Sequence, residues 1–228
     1  MTLVFASNNA HKLSEVRQIM PSHIRVLSLN DIGFTSEIEE NGTTLSENSA
    51  IKAQTIWEYI RRQISDGRCE IDGVFADDTG LEIDALNGAP GVYTARWYMM
   101  SDVRCQMSDV RCQMSDVRCQ MLDGAGLNRA KALRVLTGEH NRGAQFRTVI
   151  TLIRVNTTLP KGEEILQVEG IVRGRIAEEE YGQGGFGYDP IFIPEGYDKT
   201  FAELPAEVKN SISHRARALE ALVKSIQL

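Results

Sequence analysis

Residues 3–20, LVFASNNAHKLSEVRQIM, read as a strand, a tight polar turn and the opening of a helix. Leu3 to Ala6 is an unbroken apolar run of strand length, and beyond it Leu13, Val16, Ile19 and Met20 recur at helical spacing. Between them Ser7, Asn8 and Asn9 are the short polar residues that close turns and cap helices. A strand that hands the chain straight to a helix N-terminus belongs to the α/β class. It also makes a place for an anion, because the first helical N–H groups are unpaired and the helix dipole favours negative charge there.

The same mixed pattern continues on either side of that unit. A second helix is predicted over 45–64, opened by the capping box Thr44-Leu45-Ser46-Glu47 and striped by Ile51, Ile56, Ile60 and Ile64. Residues 73–76 then form a short buried strand that ends in Asp77-Asp78-Thr79-Gly80. A helix at about 128–136 is followed by two β-branched stretches, 146–155 and 165–176, that partly alternate and suggest antiparallel strands. The run GQGGFGY at 182–188 is too rich in glycine for regular structure and reads as a ligand loop. Pro205 stands at a first helical position, the helix is interrupted near Ser213, and a last helix carries Leu219, Leu222, Val223 and Ile226. With Ser213 as its cap, His214 and Arg215 fall in the first turn, where cations are disfavoured unless an anion sits beside them.

With 228 residues, 42% hydrophobic and 25% charged, the chain has room for one large domain or two lobes, and is treated as a single domain over 1–228. A net charge of −6 argues against a nucleic-acid partner. The N-terminal apolar run is too short for a secretory signal and no later window approaches a membrane span, so a cytoplasmic location without membrane contact is expected. The four cysteines, Cys69, Cys105, Cys112 and Cys119, lack zinc-site spacing and read as reduced thiols. Three of them lie in 101–121, three identical copies of SDVRCQM. Its valines and methionines match a coiled-coil seam only formally, and a recent tandem duplication in a permissive loop explains it better.

Three clusters carry chemistry. In the first, Ser7, Asn8, Asn9, Ala10, His11 and Lys12 join backbone N–H groups, a hydroxyl, amides and a lysine at one turn, suited to phosphate or to plain capping by Ser7 or Asn9. The second is acidic: Glu39, Glu40, Glu47, Asp77 and Asp78. Mg2+ takes one or two carboxylates plus substrate phosphates, so two of these from different elements would suffice. Glu47 reads first as part of its capping box. Asp77 and Asp78, adjacent at the end of a buried strand, repel one another unless a cation is near. Asp78-Thr79-Gly80 also matches the aspartic-protease triplet, but that chemistry needs two copies and an all-β frame. The third cluster pairs Phe186 to Asp189 with Lys209, His214 and Arg215, an aromatic plane and directed polar groups able to grip a base.

In this order the segments resemble the inosine triphosphate pyrophosphatase family, the non-standard purine NTP pyrophosphatases. The likeness rests on SxNxxK at 7–12, ExG and ENxxxKA within 40–53, ADDTGL at 76–81 and GAPGVYTAR at 88–96. GGFGYDPIF at 184–192, KTFAEL at 199–204 and KNSISHRxRAL at 209–219 complete it. It implies an elongated mixed β-sheet flanked by helices, in two lobes with a central active-site cleft, and a homodimer. It implies Mg2+-dependent hydrolysis of ITP, dITP or XTP to the monophosphate and pyrophosphate. Ser7, Asn9, Lys12 and Lys52 would hold the triphosphate in the segment that also includes Asn8, Ala10 and His11. Glu40 and Asp78 would hold the metal, Asp78 would accept the proton of the attacking water, and Asp77 would support that site. Thr79 would lie against the substrate, Phe186, Gly187, Tyr188 and Asp189 would orient the nucleotide, and Lys209, His214 and Arg215 would recognise the purine. The repeat replaces a loop that is usually rich in Gly, Asp and Lys, which keeps a binding module without catalysis as the competing reading.

Overall fold

The computed structural model describes residues 1–65, 70–100, 123–156, 158–159 and 162–226, with the side chains of 62–65 outside the described set. The repeat at 101–121 and all four cysteines lie outside the described residues. In chain order the elements are β1 (Thr2–Phe5), α1 (Ala10–Ile19), β2 (Arg25–Leu27), α2 (Leu45–Ser65), β3 (Gly73–Ile83) and β4 (Pro90–Gly91). There follow α3 (Gly124–Val135), β5 (Gly143–Val155), β6 (Glu163–Ile176), β7 (Phe192–Pro194), α4 (Ala206–Ile212) and α5 (His214–Ile226). The strands hydrogen-bond in the order β2-β1-β3-β5-β6-β7, with β4 on β3. Since β1 runs parallel to β2 and β3 whereas β3–β4 and β6–β7 are antiparallel, the sheet is mixed, as the family resemblance implies. No helix among the described residues is long and apolar enough to cross a membrane.

The chain forms two compact units. The first comprises Met1–Gly80, Phe146–Val172 and Glu207–Leu228. Its core has two sides because successive strand residues point to opposite faces of a sheet. Leu3 and Phe5 of β1, Phe75 of β3 and Ile150 and Leu152 of β5 pack with Val16 of α1 and Leu219 and Leu222 of α5. Val4, Ala6, Val74, Ala76 and Ile153 pack on the other side with Ala53, Ile56, Trp57 and Ile60 of α2. Burial on both faces is why β1 and the start of β3 are written as continuous apolar runs. The Phe5 and Phe75 rings stack at 5.0 Å between centroids.

The second unit comprises Leu81–Gln145 and Arg173–Ala206. There α3 anchors the 3-10 stretch Thr94–Met99: Asn128 donates to the carbonyls of Thr94 and Ala95, and Lys131 donates to those of Trp97 and Met100.

Several boundaries differ from the expectations. The strand predicted at 73–76 continues to Ile83, with Leu81 and Glu82 paired to Gly91 and Pro90, so Asp77 and Asp78 lie inside β3 and not at its end. Charge normally stops a buried strand; here ion pairs permit it to continue, as shown below. Helix α3 begins at Gly124 because Asp123 caps it, accepting from the Gly126 N–H at 2.8 Å. Pro205 lies just ahead of α4, which starts at Ala206. Ser213 does cap α5, its Oγ accepting from the Ala216 N–H at 3.2 Å.

Candidate active site

The two faces of β3 separate its adjacent carboxylates. Asp77 follows Phe75 by two residues and turns to the side covered by α1 and α5, while Asp78 follows Ala76 and turns to the side covered by α2. Each therefore meets its own cations, which resolves the repulsion expected of the pair.

On the α1–α5 side, Lys12 Nζ lies 2.9 Å from Asp77 Oδ1 and Arg215 Nε 3.1 Å from Asp77 Oδ2. Glu15, one turn after Lys12 on α1, pairs with both Arg215 and Lys209, the latter at 2.7 Å. Arg215 and Asp77 are each 1% exposed. Burial alone would raise the Asp77 carboxyl, but Lys12, Arg215 and Lys52 outweigh it and hold the group well below the usual carboxylate range. Lys12 moves down from the ordinary lysine value because burial and the nearby Arg215 and Lys52 overcome the attraction of Asp77. The anion expected beside the first turn of α5 is thus supplied by the protein, as Asp77 and Glu15. Glu15 was not foreseen from the sequence.

On the α2 side, Lys52 Nζ donates to Glu40 Oε2 at 3.0 Å and to Asp78 Oδ1 at 3.2 Å, while Asn48 Nδ2 donates to Asp78 Oδ2 at 3.3 Å. Asn48 and Lys52 are four residues apart and share a helix face, so α2 presents an amide and an ammonium to one carboxylate. Burial pulls Lys52 down, yet Asp78, Asp77 and Glu40 together raise it above the ordinary value. Asp78 is raised, by burial first and with Glu40 adding to it, against Lys52 and Lys12. Glu47 takes no part: its carboxylate accepts from the N–H groups of Thr43 and Thr44 and from the Thr43 hydroxyl, the capping box read from the sequence.

At the turn before α1, Asn9 is the cap, its Oδ1 accepting from the Lys12 N–H at 3.1 Å, and Ser7 Oγ accepts from the Asn9 N–H. Asn8, Ala10 and His11 are exposed there. His214, at the start of α5, is buried with its ring stacked on Phe146 at 4.8 Å and its Nδ1 2.6 Å from Thr148 Oγ1. Thr148 Oγ1 in turn lies 2.8 Å from Thr79 Oγ1. Gly170 of β6 permits this placement, since a Cβ there would come within 2.1 Å of the His214 carbonyl oxygen.

Burial, with Arg215 and Lys209 adding to it, depresses His214 well below its ordinary value, so the folded ring is neutral. The unfolded chain binds that proton below about pH 6.5, so the unfolded state holds more protons and stability falls as pH drops through this range. Wild type should lose about 1 kcal/mol more than His214→Asn between pH 7 and 5.5, read from urea unfolding, because one proton has a limiting slope of about 1.4 kcal/mol per pH unit. Equal losses in the two proteins would contradict the neutral ring.

In the second unit the glycine-rich loop is tied down from within. Asp189 is buried and its Oδ2 accepts from the Phe186 N–H at 2.6 Å. Gly185 has φ +72° and a Cβ on it would come within 2.1 Å of that same carboxylate oxygen, so only glycine fits. Arg129 Nη1 donates to the Gly187 carbonyl at 2.9 Å, and the buried Tyr188 hydroxyl donates to the Thr94 carbonyl at 3.0 Å. Phe186 is half-buried. Arg129 is another residue that the sequence reading missed.

Among the described residues no group of three His, Cys, Asp or Glu could hold a metal ion by itself. The two carboxylates on Lys52 nonetheless suit a hard cation that takes its other ligands from water and substrate phosphate.

Such a mixed sheet, with an acidic strand matched by lysines from two helices, defines a protein of the α/β class. Residues 3–225 match the sequence model of the Ham1 family, and the chain belongs to that family. A dITP/XTP pyrophosphatase of Flavobacterium johnsoniae is 40% identical over 223 residues, covering 98% of this chain and 96% of that protein. One of Bacillus subtilis is 40% identical over 227 residues, again covering 98% and 96%. Among solved structures, the Ham1 protein of Staphylococcus aureus superposes with a TM-score of 0.73 at 31% identity, covering 100% of this chain and 98% of that one. A HAM1 protein from Coxiella burnetii gives 0.74 at 31% identity with the same coverage.

Proposed function

We propose that this chain is a Mg2+-dependent pyrophosphatase that cleaves deaminated purine nucleoside triphosphates, ITP, dITP and XTP, to the monophosphate and pyrophosphate. In the cell, as a cytoplasmic homodimer, it would keep such nucleotides out of DNA and RNA. The observation that carries the reading is the convergence of Glu40 and Asp78 on the Lys52 ammonium in a chain of this family.

The donor inventory supports a polyphosphate. A lysine ammonium has three N–H donors. Lys12 spends one on Asp77, and Lys52 spends two, on Glu40 and Asp78, which leaves three between them for phosphate oxygens. The exposed turn from Asn8 to His11 adds the N–H of Ala10 at the start of α1, where the dipole is favourable. Charge decides the need for a cation. Lys12, Lys52, Lys209 and Arg215 are already balanced by Glu15, Glu40, Asp77 and Asp78, so a triphosphate arrives with its own charge unmatched. Mg2+, held by Glu40 and Asp78, would neutralise the phosphates and ease departure of pyrophosphate. Asp78 would orient water and take its proton, while Lys12 and Lys52 hold the phosphates in line. Phe186 to Asp189 would orient the nucleotide, with Asp189 fixing the loop, and Lys209, His214 and Arg215 would serve purine recognition.

Pyrophosphate release by the purified protein with Mg2+ should be fastest on ITP and at least about fivefold slower on dATP, since a mismatched buried polar group costs roughly 1–3 kcal/mol. dGTP completes the comparison. Equal turnover of all three would sink the selectivity claim, and ITP binding without hydrolysis would favour the binding-module reading.

A further inference from the structure

We propose that Thr148 is a positioning residue for purine selection: together with Thr79 it holds His214 as the tautomer protonated on Nε2, so that the ring offers a donor to a 6-oxo base. The inference rests on the pyrophosphatase reading and names how one of its residues is set.

Thr148 is fully buried in β5, with its Oγ1 2.8 Å from Thr79 Oγ1 and 2.6 Å from His214 Nδ1. A hydroxyl has one proton, so Thr148 donates to one of these neighbours and accepts from the other. The direction follows from the far end of the chain. Arg215 Nη2 lies 3.5 Å from Thr79 Oγ1, and a guanidinium can only donate, so the lone pairs of Thr79 turn towards it. Asp77 Oδ2, which accepts from Arg215 Nε, is the other acceptor within reach of the Thr79 hydroxyl, but at 3.5 Å it lies at the outer limit of a hydrogen bond, against 2.8 Å to Thr148. The proton of Thr79 therefore goes to the nearer Thr148, and the proton of Thr148 goes to Nδ1. With Nδ1 accepting, a neutral imidazole carries its proton on Nε2.

The rest of the ring's surroundings leave Nε2 to a ligand. It makes no hydrogen bond among the described residues, and the stack on Phe146 at 4.8 Å fixes the plane of the ring. A donor at that atom matches O6 of hypoxanthine or xanthine. Against the 6-amino group of adenine it sets donor against donor, which selects by exclusion.

The tautomer can be read directly from long-range 15N–1H spectra of the full chain with labelled histidine, comparing wild type with Thr148→Ser and Thr148→Val. Wild type and Thr148→Ser should show His214 protonated on Nε2 with Nδ1 accepting, and the same preference for ITP over ATP in kcat/KM. Thr148→Val should lose the hydrogen-bonded Nδ1 signal, and its preference should fall roughly tenfold, the loss expected of one buried hydrogen bond. A proton on Nδ1 in wild type would overturn the proposal without any variant, as would a wild-type preference in Thr148→Val. Failure of wild type to hydrolyse ITP would remove the pyrophosphatase reading and the selection role with it, and the spectrum would still report the direction of the relay.

Discussion

Asp78→Asn is expected to lower kcat for ITP at least about a hundredfold while leaving ITP affinity within a few-fold of wild type, because a positioned proton acceptor contributes roughly 10²–10⁴. Both carboxylate oxygens of Asp78 are held, one by Lys52 at 3.2 Å and the other by Asn48 at 3.3 Å, so the side chain is oriented before any substrate arrives. An asparagine keeps the shape and can still accept from Lys52. It loses the negative charge and the capacity to take a proton. Three of the donors that would meet phosphate belong to Lys12 and Lys52, which remain, and for that reason binding should survive where turnover does not. Pyrophosphate release and calorimetric titration with ITP measure the two quantities separately. Turnover within tenfold of wild type would remove Asp78 from the mechanism. Glu47→Gln is the matched control on the same side of the sheet: its carboxylate is occupied by the Thr43 and Thr44 N–H groups, and turnover should be unchanged.

What could be read before the structure was what is local in sequence. The β1–turn–α1 unit, the capping box of α2 and the break at Ser213 all follow from neighbouring residues, and the structure has them within a few positions. The sharing of Asp77 and Asp78 between two faces was hidden by a reasonable rule, that charge ends a buried strand. The rule fails because the neutralising groups come from far away: Lys12 is 65 residues from Asp77, and Arg215 is 138. Glu15 looked like any exposed helix carboxylate. Its partners Arg215 and Lys209 are 200 and 194 residues distant, and only its place one turn after Lys12, on the same side of α1, hinted at them. Asn48, four residues before Lys52, carried a similar hint. Nothing in GQGGFGY points to Arg129, whose contact with Gly187 depends wholly on how α3 packs. Site residues recognised by family pattern were therefore named without the carboxylates and hydroxyls that hold them.

Asp77→Asn should cost the fold about 3–5 kcal/mol, the usual result of removing one partner from a buried ion pair. At about 2–4 °C per kcal/mol for a chain of this size, the melting temperature should fall by roughly 10 °C. The physical reason is what the substitution leaves behind: Lys12, with its ammonium buried against a neutral amide, and Arg215, which keeps Glu15 but loses the Asp77 charge. A depressed carboxyl stabilises the fold fully above its unfolded pKa of about 3.9, and that contribution is lost as pH falls towards the folded value. The gap between wild type and variant should accordingly be complete at pH 5 and above, and narrow below about pH 4. Adding Lys12→Met to Asp77→Asn removes the stranded ammonium, so the double variant should recover part of the loss, a coupling of about 1–3 kcal/mol measured by urea unfolding. A variant that melts within 2 °C of wild type, by about the resolution of the size scaling, would show that Lys12 and Arg215 are neutralised by other groups and that Asp77 is dispensable to the architecture of β3.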